Sequence, residues 1–110
     1  MAEDLASAYR LIAEFKAGHF EAKKSVSKKQ QKLVRLLSDD LGVAAQGQEF
    51  GELVLLVAKA DSYWNNQTQE CASKYYVLTE QGHKAEANAV RAQFCRQCPS
   101  AWYRGIIDAL

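Results

Sequence analysis

Apolar residues recur every three or four positions over most of this chain, and glycines interrupt that periodicity at intervals. The spacing predicts an amphipathic helix over residues 4–16, because a repeat of three and four places side chains on one helical face. Its apolar face comprises Leu5, Ala8, Tyr9, Ile12 and Phe15. Gly18 should end this helix, since glycine adopts the left-handed backbone conformation that closes many helices.

A second apolar face covers residues 26–41 and stops at Gly42. We predict that this helix begins at about Phe20 rather than at Ser27. The reason is that four lysines surround Ser27, and cations oppose the helix dipole in a first turn. Residues 43–48 are short on large side chains and are predicted to be a loop that joins the two halves of the chain.

The second half resumes helical spacing and predicts a helix from about residue 49 to residue 81. Two consecutive asparagines, Asn65 and Asn66, are poor helix formers, so we expect a break or bend there. Gly82 should end this helix, and a helix of small residues should follow.

Pro99 then suits the first position of a last helix over residues 100–110, because proline lacks the amide hydrogen that this position leaves unpaired. The pattern as a whole predicts an all-α fold of four to five helices. These would form two antiparallel helical hairpins plus a C-terminal helix.

The composition is that of a single globular domain spanning residues 1–110, with 48% hydrophobic and 25% charged residues and a net charge of +1. The chain starts with acidic residues and has no apolar run that approaches the roughly 18 residues of a membrane span. We therefore expect a cytoplasmic protein that does not bind membranes. Three cysteines, an odd number, fit a reducing compartment. In an oxidising one, Cys71 could pair with Cys95 or Cys98.

Candidate chemistry is sparse. Cys95 and Cys98 form a C-x-x-C pair that His19 and His83 could complete as a zinc set, but the histidines stand 64 positions apart and offer no second close ligand pair. We expect inert thiols, and histidines that cap the carbonyls of the preceding helices. No nucleophile turn is present, so we predict a protein that is not an enzyme and needs no cofactor.

Two surfaces are candidates for binding. Lys24, Lys28, Lys32 and Arg35 follow one another at intervals of four, four and three, which places them on one face of the second helix. Such a row can bind phosphates or an acidic protein surface, or simply face solvent. The C-terminal helix is apolar on most sides, and it either meets a partner or closes the core. Its candidate contact residues are Trp102, Tyr103, Ile106 and Ile107.

Residues 74–82 contain two tyrosines followed by Leu78, Thr79 and Gly82. This segment, about a tenth of the chain, resembles the wing strand and following helix start of winged-helix transcription regulators. The resemblance implies strands at about residues 62–66 and 74–78 and nucleic acid as the partner.

We expect, in preference, a non-enzymatic protein-binding module such as an inhibitor, adaptor or accessory factor. Its partner would be another protein, or a second copy of this chain, with a DNA-binding regulator as the alternative.

Overall fold

A computed structural model describes residues 2–18, 27–44 and 47–110. These residues form five α-helices and no strand, which confirms the all-α fold with helical hairpins. The helices are α1 (Ala2–Lys16), α2 (Lys28–Leu41), α3 (Phe50–Glu80), α4 (Lys84–Gln97) and α5 (Ala101–Asp108). The chain divides into two compact units, Met1–Asp61 and Ser62–Leu110, and the division falls within α3.

The first unit consists of α1, α2 and the start of α3. Helices α1 and α2 pack together through buried aliphatic residues, and the core is completed from α3. Two polar contacts join these helices: the Tyr9 hydroxyl donates to an Asp40 carboxylate oxygen at 2.6 Å, and the Lys16 ammonium pairs with the buried Asp61 carboxylate. The most deeply buried hydrophobic residues of this unit are Ala8, Ile12, Val34, Leu37, Val54 and Val57.

The start of α2 differs from the prediction. Ser27 has an extended backbone and caps the helix, which begins at Lys28, so a helix continuous from Phe20 is wrong. The Ser27 hydroxyl accepts from the Gln30 amide at 3.1 Å, and the Gln30 side chain accepts from the Ser27 amide at 3.0 Å. This reciprocal pair satisfies two amides that the helix leaves unpaired, which outweighs the screened repulsion between exposed lysines and the dipole. Residues 19–26 lie outside the described residues.

Glycines end three helices, as predicted. Gly18, Gly42 and Gly82 all have φ between 72° and 82°, in the left-handed region. At Gly82 the closure uses two backbone hydrogen bonds: Gly82 donates to the Thr79 carbonyl, and His83 donates to the Leu78 carbonyl at 2.8 Å. His83 is the N-cap of α4 and makes no side-chain cap hydrogen bond there, and the capping of the α3 carbonyls by its imidazole stays a prediction. The backbone amide of His83 already occupies the Leu78 carbonyl.

The second unit pairs the rest of α3 with α4 in an antiparallel hairpin. Trp64 meets Phe94 edge to face at 6.1 Å between ring centroids, and the Cys71 sulfur lies 3.9 Å from the Val90 carbonyl oxygen. The helix continues without interruption through Asn65 and Asn66, so the predicted break does not occur. The propensity penalty of an asparagine is under about 1 kcal/mol, which the packing of a long helix readily overcomes.

The same helix contradicts the winged-helix alternative. Residues 62–66 and 74–78, which that fold would make strands, are both helical and belong to α3. The two tyrosines and Leu78 are therefore part of a helix that ends at a glycine turn. A glycine turn can follow a helix as well as a strand, so this feature of the short segment does not distinguish the two structures.

The last helix, α5, begins one residue later than predicted. Ser100 is its N-cap, and its hydroxyl accepts from the Tyr103 amide at 3.1 Å. Pro99 therefore precedes the cap and does not occupy the first helical position. Tyr103 and Ile107 are buried, at 5% and 0% exposure, and the amide of Cys98 closes α4 by donating to the Phe94 carbonyl.

Two glycines with different backbone conformations predict opposite effects on stability: Gly82 lies in the left-handed turn after α3, and Gly105 lies inside α5. Gly82→Ala should destabilise the protein by about 1 kcal/mol, because a side chain at φ 80° is strained although no atom stands in its way. Gly105→Ala, in the interior of α5, should stabilise it by about 0.5 to 1 kcal/mol. Urea unfolding followed by circular dichroism measures both, and equal effects would contradict the assignment of strain to Gly82.

The capping box of α2 predicts a second stability effect. Ser27→Ala should lower the free energy of unfolding by about 1 kcal/mol. The substitution removes the hydroxyl that accepts from the Gln30 amide and so breaks the reciprocal pair of capping hydrogen bonds. Ser27→Asp, which keeps an acceptor at the cap, should restore the stability. Ser73→Ala, at an exposed serine inside α3, is the matched control and should change little. A loss at Ser73 equal to that at Ser27 would refute the cap's contribution.

Candidate functional site

The outer side of α2 is a cationic surface. Lys28, Lys32 and Arg35 are all exposed on it, with Lys29 beside them, and together we call these four residues the α2 cationic surface. None of the four forms an ion pair with any carboxylate in the described part of the chain. Lys24, the remaining member of the predicted row, lies outside the described residues.

The opposite side of α2 fixes the direction in which these cations point. Val34, Leu37 and Leu41 are at most 3% exposed, so the helix cannot rotate about its axis without exposing them. At the C-terminal end, the buried Ser38 hydroxyl donates to the Val43 carbonyl at 2.7 Å, and the Val43 amide donates to the Ser38 carbonyl at 2.9 Å. With the Ser27 cap at the other end, α2 is held at both ends and along one side.

The charge of this surface adds to that of the helix dipole. The first turn of α2 contains no acidic residue, and Lys28 and Lys29 occupy its first two positions. A helix N-terminus carries the equivalent of about half a positive charge, so the dipole and the lysines both raise the potential there. The lysines and the dipole make the N-terminal part of this surface positive despite a net charge of only +1, and the exposed Asp39 lies on the same side of α2 one turn beyond Arg35.

Leu36 is an apolar residue on this charged side. A step of about 100° per residue places it within about 40° of both Lys29 and Lys32 and far from the fully buried Val34 and Leu37. It is partly exposed. Leu36 belongs to residues 26–41, and the sequence placed it with Val34 and Leu37 on the apolar side of the helix. Only its angle around the helix axis, measured from the fully buried Val34 and Leu37, shows that Leu36 lies on the other side of α2.

The C-terminal helix contributes less surface than its sequence suggested. The structure buries Tyr103 and Ile107 in the second unit, so they are not available to a partner. Trp102 is partly exposed, and Ile106 is 44% exposed. Of the four predicted contact residues, Tyr103 and Ile107 therefore close the core, and only Ile106 and part of Trp102 face outward.

Exposed apolar residues that the sequence did not single out lie on α3. Tyr76 and Val77 are 55% and 52% exposed, and Val77 lines a shallow depression with Ser73, Lys74 and Leu78. Both belong to the run of four apolar or aromatic residues, 75–78, near the C-terminal end of α3. Since α3 is packed on only some of its sides, several positions of the run face solvent.

The cysteines are free thiols. Cys71 and Cys98 are buried, and the Cys95 thiol lies 3.2 Å from an Asp108 carboxylate oxygen. Burial and, after it, the hydrogen bond and negative charge of Asp108 raise the pKa of Cys95 to about 11. Burial also raises the pKa of Cys71, although Lys74 opposes this. At neutral pH Cys95 is therefore a protonated, weakly nucleophilic thiol.

Metal ligation has no support in the described ranges. No group of three or more His, Cys, Asp and Glu side chains there is arranged to hold an ion. His83 is exposed, with its Nδ1 4.0 Å from a Glu86 carboxylate oxygen, and His19 is outside the described residues.

Comparison of the chain with protein-family models, with curated proteins and with solved structures found no match. Among the described helices, none has both the length and the apolar character needed to cross a bilayer.

The Asp108 contact predicts how Cys95 titrates. Deprotonating Cys95 places a thiolate beside a carboxylate, so Asp108→Asn should lower the Cys95 pKa and speed its alkylation by iodoacetamide several-fold at pH 8. Trypsin separates the three cysteines into different peptides, so mass spectrometry can follow each rate. Glu86→Gln removes an exposed carboxylate elsewhere on α4 and should leave the rate unchanged. A Cys95 rate that is insensitive to Asp108→Asn would contradict the hydrogen bond.

Proposed function

We propose that this protein is a non-enzymatic binding module that recognises the acidic surface of another protein through α2. The observation that carries the proposal is the α2 cationic surface: four exposed cations that form no ion pair with any carboxylate of the described residues, on a helix whose opposite side is buried. Asp39, an exposed carboxylate four residues after Arg35 on the same side of α2, forms no ion pair with this row among the described residues.

A protein partner is favoured over nucleic acid by two features. Leu36 gives the cationic surface an apolar element, which helps to bind a protein but has little use against a phosphate backbone. The described residues also provide no element with the geometry of the winged-helix alternative, because both proposed strands are helical. A role as inhibitor, adaptor or accessory factor is compatible with binding of this kind.

The exposed part of α5 supports a second contact. Ile106 is an aliphatic residue at 44% exposure, and together with the edge of Trp102 it offers a small apolar patch in the second unit. It is too small to carry the proposal alone, since stable interfaces bury about 800 Å² on each partner. We propose the cytoplasm as the place of action, because three free thiols suit a reducing compartment.

Affinity capture with charge-reversed variants tests the proposal. Tagged protein is incubated with native lysate with and without nuclease, and retained proteins are quantified for the unaltered chain and for Lys28→Glu with Lys32→Glu. We expect a nuclease-resistant partner whose retention falls at least about tenfold in the variant, because two attractive charges become repulsive. The capture should also weaken as salt rises from about 50 to 500 mM.

A matched double reversal controls for net charge. Lys84→Glu with Arg96→Glu changes the charge by the same amount on exposed positions of α4, and it should leave capture unchanged. Equal loss in both variants, or retention that disappears with nuclease, would refute a protein partner bound through α2. Circular dichroism confirms the fold of each variant, and Glu at position 28 favours the helix dipole.

A further inference from the structure

The spacing of the α2 cationic surface restricts the shape of what can bind it. Lys28 and Lys32 are four residues apart and Lys32 and Arg35 three, so their Cα atoms advance by about 6 and about 4.5 Å along the axis. The helix is capped at one end, closed by Gly42 at the other and anchored by buried residues between them. The Cα atoms that carry this row of charges are therefore held over a length of about 10 Å, while the charges themselves end flexible side chains.

An extended acidic segment matches this Cα spacing less closely than a helix does. Side chains on one face of a β-strand repeat every two residues, or about 6.6 Å, so three carboxylates would span about 13 Å. An α-helix repeats its side chains at intervals of three and four residues, with the same rise as α2. Carboxylates on a helix can therefore meet Lys28, Lys32 and Arg35 one by one when the two helices lie side by side.

Leu36 adds a second requirement. It lies between the directions of Lys29 and Lys32 on the outer side of α2 and is partly exposed. A partner helix that brings carboxylates to the cations also approaches Leu36. An apolar side chain of the partner at that point would bury Leu36, which is favourable, whereas a polar side chain would leave Leu36 in contact with hydrated groups. Recognition of an amphipathic helix by such regularly spaced anchors is a common binding mode.

We propose that the partner of α2 is an acidic amphipathic helix that carries carboxylates three and four residues apart with an apolar residue among them. This inference rests on the proposed function, because it names the element of the partner that α2 binds. The helix lies along α2, its carboxylates pair with Lys28, Lys32 and Arg35, and its apolar residue packs on Leu36.

Two synthetic peptides test the spacing. Both are about 15 residues long, have the same composition and are matched in helix content. In the first, glutamates occupy positions i, i+3 and i+7 with leucine at i+4; in the second, the same glutamates are distributed around the helix. Fluorescence anisotropy with the full chain should show the first peptide binding at least about tenfold more tightly. A duplex DNA of about 15 base pairs is the third probe.

Protein variants locate the contact. Lys28→Glu with Lys32→Glu should abolish binding of the first peptide, whereas Lys84→Glu with Arg96→Glu should not alter it. Leu36→Ala should weaken the first peptide about fivefold or more, and Leu36→Met, which keeps an apolar side chain of similar volume, should restore it. Thermal unfolding checks that Leu36→Ala remains folded, so that a loss of binding is assigned to the surface.

Three outcomes overturn the inference. Equal affinity for both peptides would show that α2 senses charge without spacing, and it would leave the proposed acidic protein partner intact. Tighter binding of the DNA than of either peptide would replace the acidic helix by a phosphate backbone. Absence of peptide binding, while the native partner is still captured through Lys28 and Lys32, would show that the partner is not a helix of this kind.

Discussion

The buried residues Val34, Leu37 and Leu41 set the rotation of α2 about its own axis, and the first unit is organised around that constraint. Because these side chains must stay out of water, Lys28, Lys32 and Arg35 have only the solvent side to occupy. The Ser27 cap and the turn at Gly42 then fix the length of the helix. The proposed binding surface is the outer face of a helix whose inner face is in the core.

The polar contacts of the first unit connect helices rather than build a site. The Tyr9 hydroxyl and the Lys16 ammonium each reach a carboxylate on another helix, Asp40 and Asp61 respectively. Both carboxylates are thereby satisfied inside the unit. The α2 cations have no such acceptor in the described residues, and this difference separates groups that hold the fold together from groups available to a partner.

Helix positions and glycine turns could be predicted from the sequence, because they depend on local periodicity and on backbone conformations that glycine adopts. The start of α2 could not, since it depends on the balance between a capping box at Ser27 and the repulsion of nearby lysines. The continuity of α3 through Asn65 was also missed, because packing against α4 outweighs a weak local preference. For the candidate site, the spacing of the charged residues was enough to identify the cationic row on α2. The burial of Tyr103 and Ile107 and the exposure of Ile106 could not be predicted, because they depend on which side of α5 packs against the rest of its unit.

The separation of inner and outer faces on α2 has an evolutionary consequence. Substitutions at Lys28, Lys29, Lys32 or Arg35 alter no core contact and no cap. Selection on the proposed binding and selection on folding therefore act on different residues of α2. A lineage could exchange the sign of this face, or lose its charge altogether, without passing through unfolded intermediates. Positions 34, 37 and 41 should vary slowly, while the outer positions follow changes in whatever surface they contact.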